Sequence, residues 1–254
     1  MKAAIITVAG ISSRFNQGVP ACDRQLKAIY TDGDVEKTLL YRLVQKCGFA
    51  QKIIVVGGYR FQDLEAYCAV LEQRAPELKE RLELVYNPHY EDLGSGYSLY
   101  LGIEAAMRYP VEEILFVEGD LDVDGESFAR AAAQSGDVLT YNYEPIYANK
   151  AVVLYQDGQG RYHYAFNSSH GLLSLSEPFA CVLNSGQLWK FTDMPRLWRA
   201  AEQFCIKEKE GTNLRIIQNY LDGGTACQLV GLRRWTNCNT RQDYERIMSF
   251  WEGE

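Results

Sequence analysis

Short apolar runs, many of them β-branched, punctuate the first half of the chain at residues 3–8, 53–56, 82–86, 114–117 and 138–141. Between them lie stretches whose apolar positions recur at helical spacing, around residues 38–47, 61–75, 98–107 and 126–133. Strands that alternate with helices, and that are apolar on both faces, predict βαβ units around a mainly parallel sheet covered on both sides. The pattern changes after residue 145. Residues 150–155 and 161–166 flank Gln156-Asp157-Gly158-Gln159-Gly160, which predicts a β-hairpin with a glycine-rich turn. A strand at 179–183, helices at 194–207 and 213–221, a strand near 226–229 and a final helix from about Arg241 to Trp251 follow. No repeat, low-complexity tract or linker interrupts this order. One domain is expected, with a core at 1–145, a β-rich elaboration at 146–235 and a terminal segment at 236–254.

Composition narrows the class. The chain has 254 residues, 47% hydrophobic and 23% charged, which is ordinary for a globular protein. A formal net charge of -7 argues against a broad nucleic-acid-binding surface, though a small basic pocket remains compatible with a nucleotide. Met1-Lys2 leads at once into an apolar run too short for a secretory leader, and no stretch approaches the length of a membrane helix. Seven cysteines, odd in number and without a Cys-x-x-Cys pair, point to reduced thiols rather than a disulfide framework or zinc site. The cytoplasm is the compartment these features suit.

Candidate chemistry lies where strands end. The first strand discharges into Val8-Ala9-Gly10-Ile11-Ser12-Ser13-Arg14, whose small residues would let backbone N–H groups approach phosphate oxygens. Arg14 could neutralise phosphate charge, and Lys27 could add a second cation from the far end of the loop. A tight strand-to-helix turn with two surface cations is the plain alternative. The loop lacks both the Gly-Lys-Ser/Thr ending of a P-loop and the three glycines of a dinucleotide fingerprint, and no acidic residue follows at ribose-binding spacing. The strand at 114–117 ends in Glu118-Gly119-Asp120-Leu121-Asp122-Val123-Asp124, at the carboxyl edge where α/β sheets bind ligands. Oxygen ligands there suit Mg²⁺, and Asp120 is the expected one. Asp124 fits better as a cap of the following helix, and an EF-hand fails because Ala131 stands where its last carboxylate belongs.

Two further segments carry weaker signals. Thr240 with Asp243 reads as a capping box, with Asn239 beside it as a candidate second oxygen ligand. The polar, glycine-containing loop from Asn87 opens into a helix at Ser98, and that N-terminus, with Gly96, Tyr97 and Ser98, could face a nucleobase or phosphate. It could equally be a well-capped helix. His89, His163 and His170 lack metal-ligand neighbours and read as structural or surface residues.

Together these segments resemble the nucleotidyltransferases of the sugar-nucleotide and choline-phosphate cytidylyltransferase type, related to the molybdenum-cofactor guanylyltransferases. The family's Ala-Gly-x-Gly-x-Arg opening and following Lys are matched by Ala9 to Arg14 and Lys27. Its metal Asp is matched by Asp120, and its second ligand before the last helix by Asn239. Ser12 stands where the motif has its second glycine, and residues 15–24 form a longer, less basic loop than the family pattern. The Tyr97-Ser98 pair is similar to the choline-phosphate branch. The resemblance implies a three-layer α/β/α, Rossmann-like (GT-A-like) fold with a mixed, mainly parallel sheet. It also implies Mg²⁺ on Asp120 and Asn239, CTP or another NTP on the loop, and a small phosphorylated or phosphonate acceptor. Glu118, Tyr162, Trp189 and Trp235 are the expected acceptor side, with the aromatic rings as a box for an ammonium group. A homodimer is the assembly it admits, with neither nucleic acid nor membrane as partner. A sugar-1-phosphate or guanylyl transferase, or a non-catalytic nucleotide sensor, would share the scaffold.

Overall fold

The computed structural model of the chain describes residues 1–148, 151–166, 168–169, 172–175, 177–224 and 226–252. Lys150, at the expected start of the hairpin, and His170 lie outside them. The core elements follow the expected alternation: β1 (Lys2–Thr7), α1 (Leu39–Lys46), β2 (Lys52–Gly57), α2 (Phe61–Arg74), a one-turn α3 (Leu78–Arg81), β3 (Leu82–Tyr86), α4 (Ser95–Ala106) and β4 (Glu113–Glu118). A short β5 (Leu121–Val123), α5 (Gly125–Ala133) and β6 (Val138–Asn142) complete it.

Parallel pairing joins β3 to β2, β2 to β1 and β1 to β4. Strand β1 shows why the sheet is covered on both faces. Ala4, Ile6 and Val8 join a core layer with α1, α2 and α5, whereas Ala3 and Ile5 join the opposite layer with α4 and later helices. Period-two alternation of wholly apolar residues can be satisfied only between two helical layers. The architecture is thus the expected three-layer α/β/α fold.

The second half contributes the hairpin β7 (Val153–Asp157) and β8 (Tyr162–Tyr164), with two-residue strands β9 (Ser168–Ser169) and β10 (Leu172–Leu173) beyond it. Strand β11 (Phe179–Phe191) is much longer than the expected 179–183. Its first part pairs antiparallel with β7. Its last part inserts between β4 and β6, antiparallel to both. The register shifts between Ser185 and Trp189, and Gln187 sits there at φ 54°. This bulge breaks the apolar periodicity, which is why the strand reads as ending early. Helices α6 (Met194–Lys207) and α7 (Asn213–Leu221) cover the second face, and β12 (Gln228–Leu232) adds parallel to β6 at the sheet edge. The sheet is therefore mixed and mainly parallel, with a β-rich elaboration.

Strand β13 (Trp235–Asn237) pairs with β5 and leads into α8 (Arg241–Trp251). Tyr244, Ile247 and Trp251 of α8 pack with Phe15, so the C-terminal helix is seated under the loop that follows β1. Among the described residues no helix is long and apolar enough to cross a membrane.

Candidate active site

The ends of β1, β3 and β4 open into a cavity of about 230 Å³. Val8, Ala9, Gly10 and Ser12 line it from the first loop, Lys27 and its neighbours from the far end of that loop, and Glu118, Gly119 and Asp120 from the end of β4. Asn87, Tyr90, Gly94, Ser95 and Ser98 form the wall between β3 and α4, and Asn213 enters from α7. The segments singled out at the ends of β1 and β4, far apart in sequence, thus meet on one wall. Gly119 makes this closeness feasible, because a Cβ there would collide with Val8 and the Thr7 carbonyl.

Ser12 adopts φ 54°, the left-handed region that favours glycine, and this accounts physically for the glycine in the motif it resembles. Its side chain is turned inward, the hydroxyl donating to the Gly10 carbonyl at 3.4 Å and accepting from the Lys27 amide at 3.3 Å. Ile11 and Ser13 face a neighbouring cavity with Arg24 and Tyr59, on the outer side of the loop. Arg14 is exposed beside them and has no side-chain partner among the described residues.

Lys27 Nζ lies 2.7 Å from Asp120 Oδ2. The other carboxylate oxygen, Asp120 Oδ1, is buried without a hydrogen-bond partner, and so is Asn239 Oδ1. The Cys238 amide donates to the Asp120 carbonyl at 2.7 Å, which brings Asn239 alongside Asp120. The Asn239 amide itself donates to Asp243 Oδ2 at 2.9 Å, within the capping box that Thr240 and Asp243 form at the start of α8. Two buried, unpaired hard oxygens are the donor set an octahedral Mg²⁺ takes from protein, the rest of its shell being water and phosphate. No group of three or more His, Cys, Asp or Glu suited to a metal occurs among the described residues, which is compatible with so sparse a ligand set.

The acidic run at β4 divides by role. Asp122 is buried, paired with Lys46 and Arg234 and accepting from the Trp251 indole at 3.1 Å, so it ties β5, α1, the turn before β13 and α8 together. Asp124 caps α5 by accepting from Ser127 N at 2.8 Å, as expected. Burial works against its charge, yet the Arg234 and Ser127 amides hold its carboxyl below the usual range.

Glu118 is set apart from both. Asn213 Nδ2 donates to one oxygen and Gln187 Nε2 to the other, each at 2.7 Å. Burial and the nearby Asp120 charge push its carboxyl up to about 8, against the pull of the two amides and Lys27. Gln187 reaches it from the strained bulge of β11.

The expected aromatic box does not form. Trp189 is wholly buried, stacked on Phe116 at 5.1 Å with its indole donating to the Tyr164 hydroxyl, so it belongs to the core. Tyr162 packs on the α6–α7 side, and Trp235 packs on the opposite layer with its indole donating to the Gly186 carbonyl. None of the three lines the cavity. Gly96 and Tyr97 also lie off it: Gly96 is pressed against Phe204 and Gly211, and Tyr97 stacks on Tyr100. His89 and His163 each contact a carboxylate, Asp92 and Asp157, as structural residues do. Asn87 and Tyr90, from the loop after β3, join the site though the sequence did not mark them individually, and Asn213 and Gln187 join it from segments the sequence did not mark at all. Asn87 had a signal, a polar residue immediately beyond a strand's carboxyl end. Asn213 and Gln187 had none, because α7 and β11 reach the site only through the tertiary fold.

Solved nucleotidyltransferases share this α/β/α fold. The inositol-1-phosphate CTP transferase from T. maritima superposes with a TM-score of 0.68 at 16% identity, covering 100% of this chain and 97% of that one. For the CTP:phosphocholine cytidylyltransferase from Streptococcus pneumoniae the TM-score is 0.66 at 13% identity, covering 98% and 99%. A UDP-glucose pyrophosphorylase complexed with UDP-glucose gives 0.68 at 13% identity over 100% of both chains. At these identities the likeness establishes the shared fold. The chain belongs to the family described as Domain of unknown function (DUF6564), whose profile matches residues 23–251. No curated protein matches it in sequence.

Proposed function

We propose that the chain is a Mg²⁺-dependent nucleotidyltransferase that moves a nucleoside monophosphate, CMP from CTP, onto a small phosphorylated or phosphonate acceptor such as phosphocholine or an aminoalkylphosphonate. One observation carries the reading. A single cavity brings together the loop after β1, the Lys27 ammonium and Asp120 with an unpaired buried oxygen, while Asn239, which does not line that cavity, follows the Cys238 amide bonded to the Asp120 carbonyl and has a buried, unpaired oxygen of its own.

In this reading an acceptor phosphate oxygen attacks the α-phosphorus in line. The bond to the bridging oxygen breaks, and pyrophosphate leaves with its electron pair. The nucleophile is already anionic, so no side chain has to remove a proton, and the protein's work is positioning and charge neutralisation. Backbone amides from Ala9 to Ser13 would cradle the triphosphate, with Arg14 folding over it from the outer side. Lys27 would exchange Asp120 for phosphate oxygens as the nucleotide enters. Magnesium held by Asp120 and Asn239 would supply positive charge to those oxygens when bound. Glu118, fixed by Asn213 and Gln187, would face the acceptor. Ser98, with Asn87 and Tyr90, would border the nucleobase.

We treat residues 1–254 as one such domain working in the cytoplasm, alone or as a homodimer. Sugar-1-phosphate or guanylyl transfer on the same scaffold is the competing reading. The test is pyrophosphate release from each of four NTPs against phospho-alcohols, phosphonates and sugar phosphates. Release with CTP and a phospho-alcohol or phosphonate supports the proposal. Preference for another nucleotide with a sugar phosphate supports the competitor, and no release with any pair favours a non-catalytic nucleotide sensor.

A further inference from the structure

Asn16 is 3% exposed, and its amide is fully used. Nδ2 donates to the Ser12 carbonyl at 3.1 Å and to the Gln25 carbonyl at 2.8 Å, while Oδ1 accepts from the Gln25 amide at 3.1 Å. Ser12 adds a second tie, its hydroxyl accepting from the Lys27 amide at 3.3 Å. The two side chains thus bridge the ends of the excursion between the loop after β1 and the segment that carries Lys27. Beyond the bridge, Lys27 Nζ reaches Asp120 at 2.7 Å. A purely structural anchor is already present next door, where Phe15 is buried against α8. The conformation of Ser12 sharpens the point: a left-handed backbone carrying a side chain is strained, and such strain persists where the side chain is used.

We infer that Asn16 and Ser12 are positioning residues, a staple that fixes the backbone of Lys27 relative to the phosphate loop and so aims its ammonium at the cavity. The inference rests on the transfer reading for its catalytic consequence, but the staple itself is measurable without substrate. Satisfied buried amides rigidify what they bridge, and a lysine on a four-carbon stem is aimed only if its backbone is held.

The test compares the full-length protein with Ser12→Gly, Ser12→Ala and Asn16→Asp. Glycine removes the hydroxyl and relieves the strain, alanine removes the hydroxyl and keeps the strain, and aspartate sets a carboxylate against two carbonyls. Lys27 amide exchange is expected to quicken about tenfold in both Ser12 variants, and the Gln25 and Lys27 amides together in Asn16→Asp. Turnover should fall about tenfold in Ser12→Gly and Ser12→Ala alike, with the KM for nucleotide within about threefold. Their melting temperatures should move in opposite directions, Ser12→Gly upward. That split of stability from turnover is what a merely structural role would not produce. Turnover that follows melting temperature across the variants, or Ser12→Gly with unchanged Lys27 exchange, overturns the inference. If Asn16→Asp fails to fold, the Ser12 pair decides. If the unaltered protein releases no pyrophosphate with any NTP, the transfer reading fails, and the exchange rates alone support or overturn the staple.

Discussion

Glu118→Gln isolates the electrostatic cost of the site. The glutamate's carboxyl is pushed from the 4.5 of an ordinary side chain up to about 8, first by burial and then by Asp120. The folded chain therefore holds this proton more tightly than the unfolded one, so the sign is opposite to that of a salt-bridged carboxylate. Below about pH 4.5 the residue costs nothing; as pH rises the unfolded chain ionises first, and the penalty on folding is complete above about pH 8. At 1.36 kcal/mol per pH unit the ceiling is roughly 5 kcal/mol. Glu118 opens partly onto the cavity, where water screens it, so about 2 kcal/mol is the working value. The substituted amide keeps the shape and leaves one acceptor and one donor, which the Gln187 amide can meet by turning over. The assay is thermal unfolding of both proteins from about pH 4 to about pH 9, read as the difference in melting temperature so that contributions common to both cancel. The curves should meet at the acid end and diverge until the variant melts about 6 °C higher at the alkaline end. Parallel curves would refute the reasoning, because they would mean that Glu118 titrates alike in both states.

Other perturbations separate scaffold from site. Asp122→Ala removes the acceptor shared by Lys46, Arg234 and the Trp251 indole, and should destabilise the fold by about 3 kcal/mol in denaturant titrations. Thr240→Ala breaks the capping box of α8 and should cost about 1 kcal/mol in the same titrations. Lys27→Met should leave the far-ultraviolet dichroism and melting temperature near those of the unaltered protein while turnover falls by roughly a hundredfold or more.

Legibility in the sequence followed how local each cause is. The buried strands and their helices were readable because a parallel sheet covered on both faces needs apolar β-branched runs, as at Ala3 to Val8. Asp124 and Thr240 were readable as caps, since a cap depends on residues three positions away. Helix α4 begins at Ser95, ahead of the expected residue 98. Gly96 hid that start, because glycine reads as loop although here it permits contact with Phe204. Strand β11 was truncated in the reading by its bulge at Gly186-Gln187, and this misplaced Trp189, which the continued strand carries into the core. Within the site, Lys27 and Asp120, both marked by the sequence, lie 2.7 Å apart. Asn213, Gln187 and Asn16 were invisible because each matters through a partner distant in sequence, or through a hydrogen-bond geometry that residue type alone does not encode.

The most direct measurement is pyrophosphate release by the unaltered protein and by Asp120→Ala, with Mg²⁺, across the four NTPs and the acceptor panel. The account predicts release that is strongest with CTP and a phospho-alcohol or phosphonate. It also predicts loss of roughly a hundredfold or more in Asp120→Ala, with the melting temperature within a few degrees, because Oδ1 has no partner to lose and the Lys27 ammonium released from Oδ2 opens onto the cavity. Near-normal release by Asp120→Ala would contradict it.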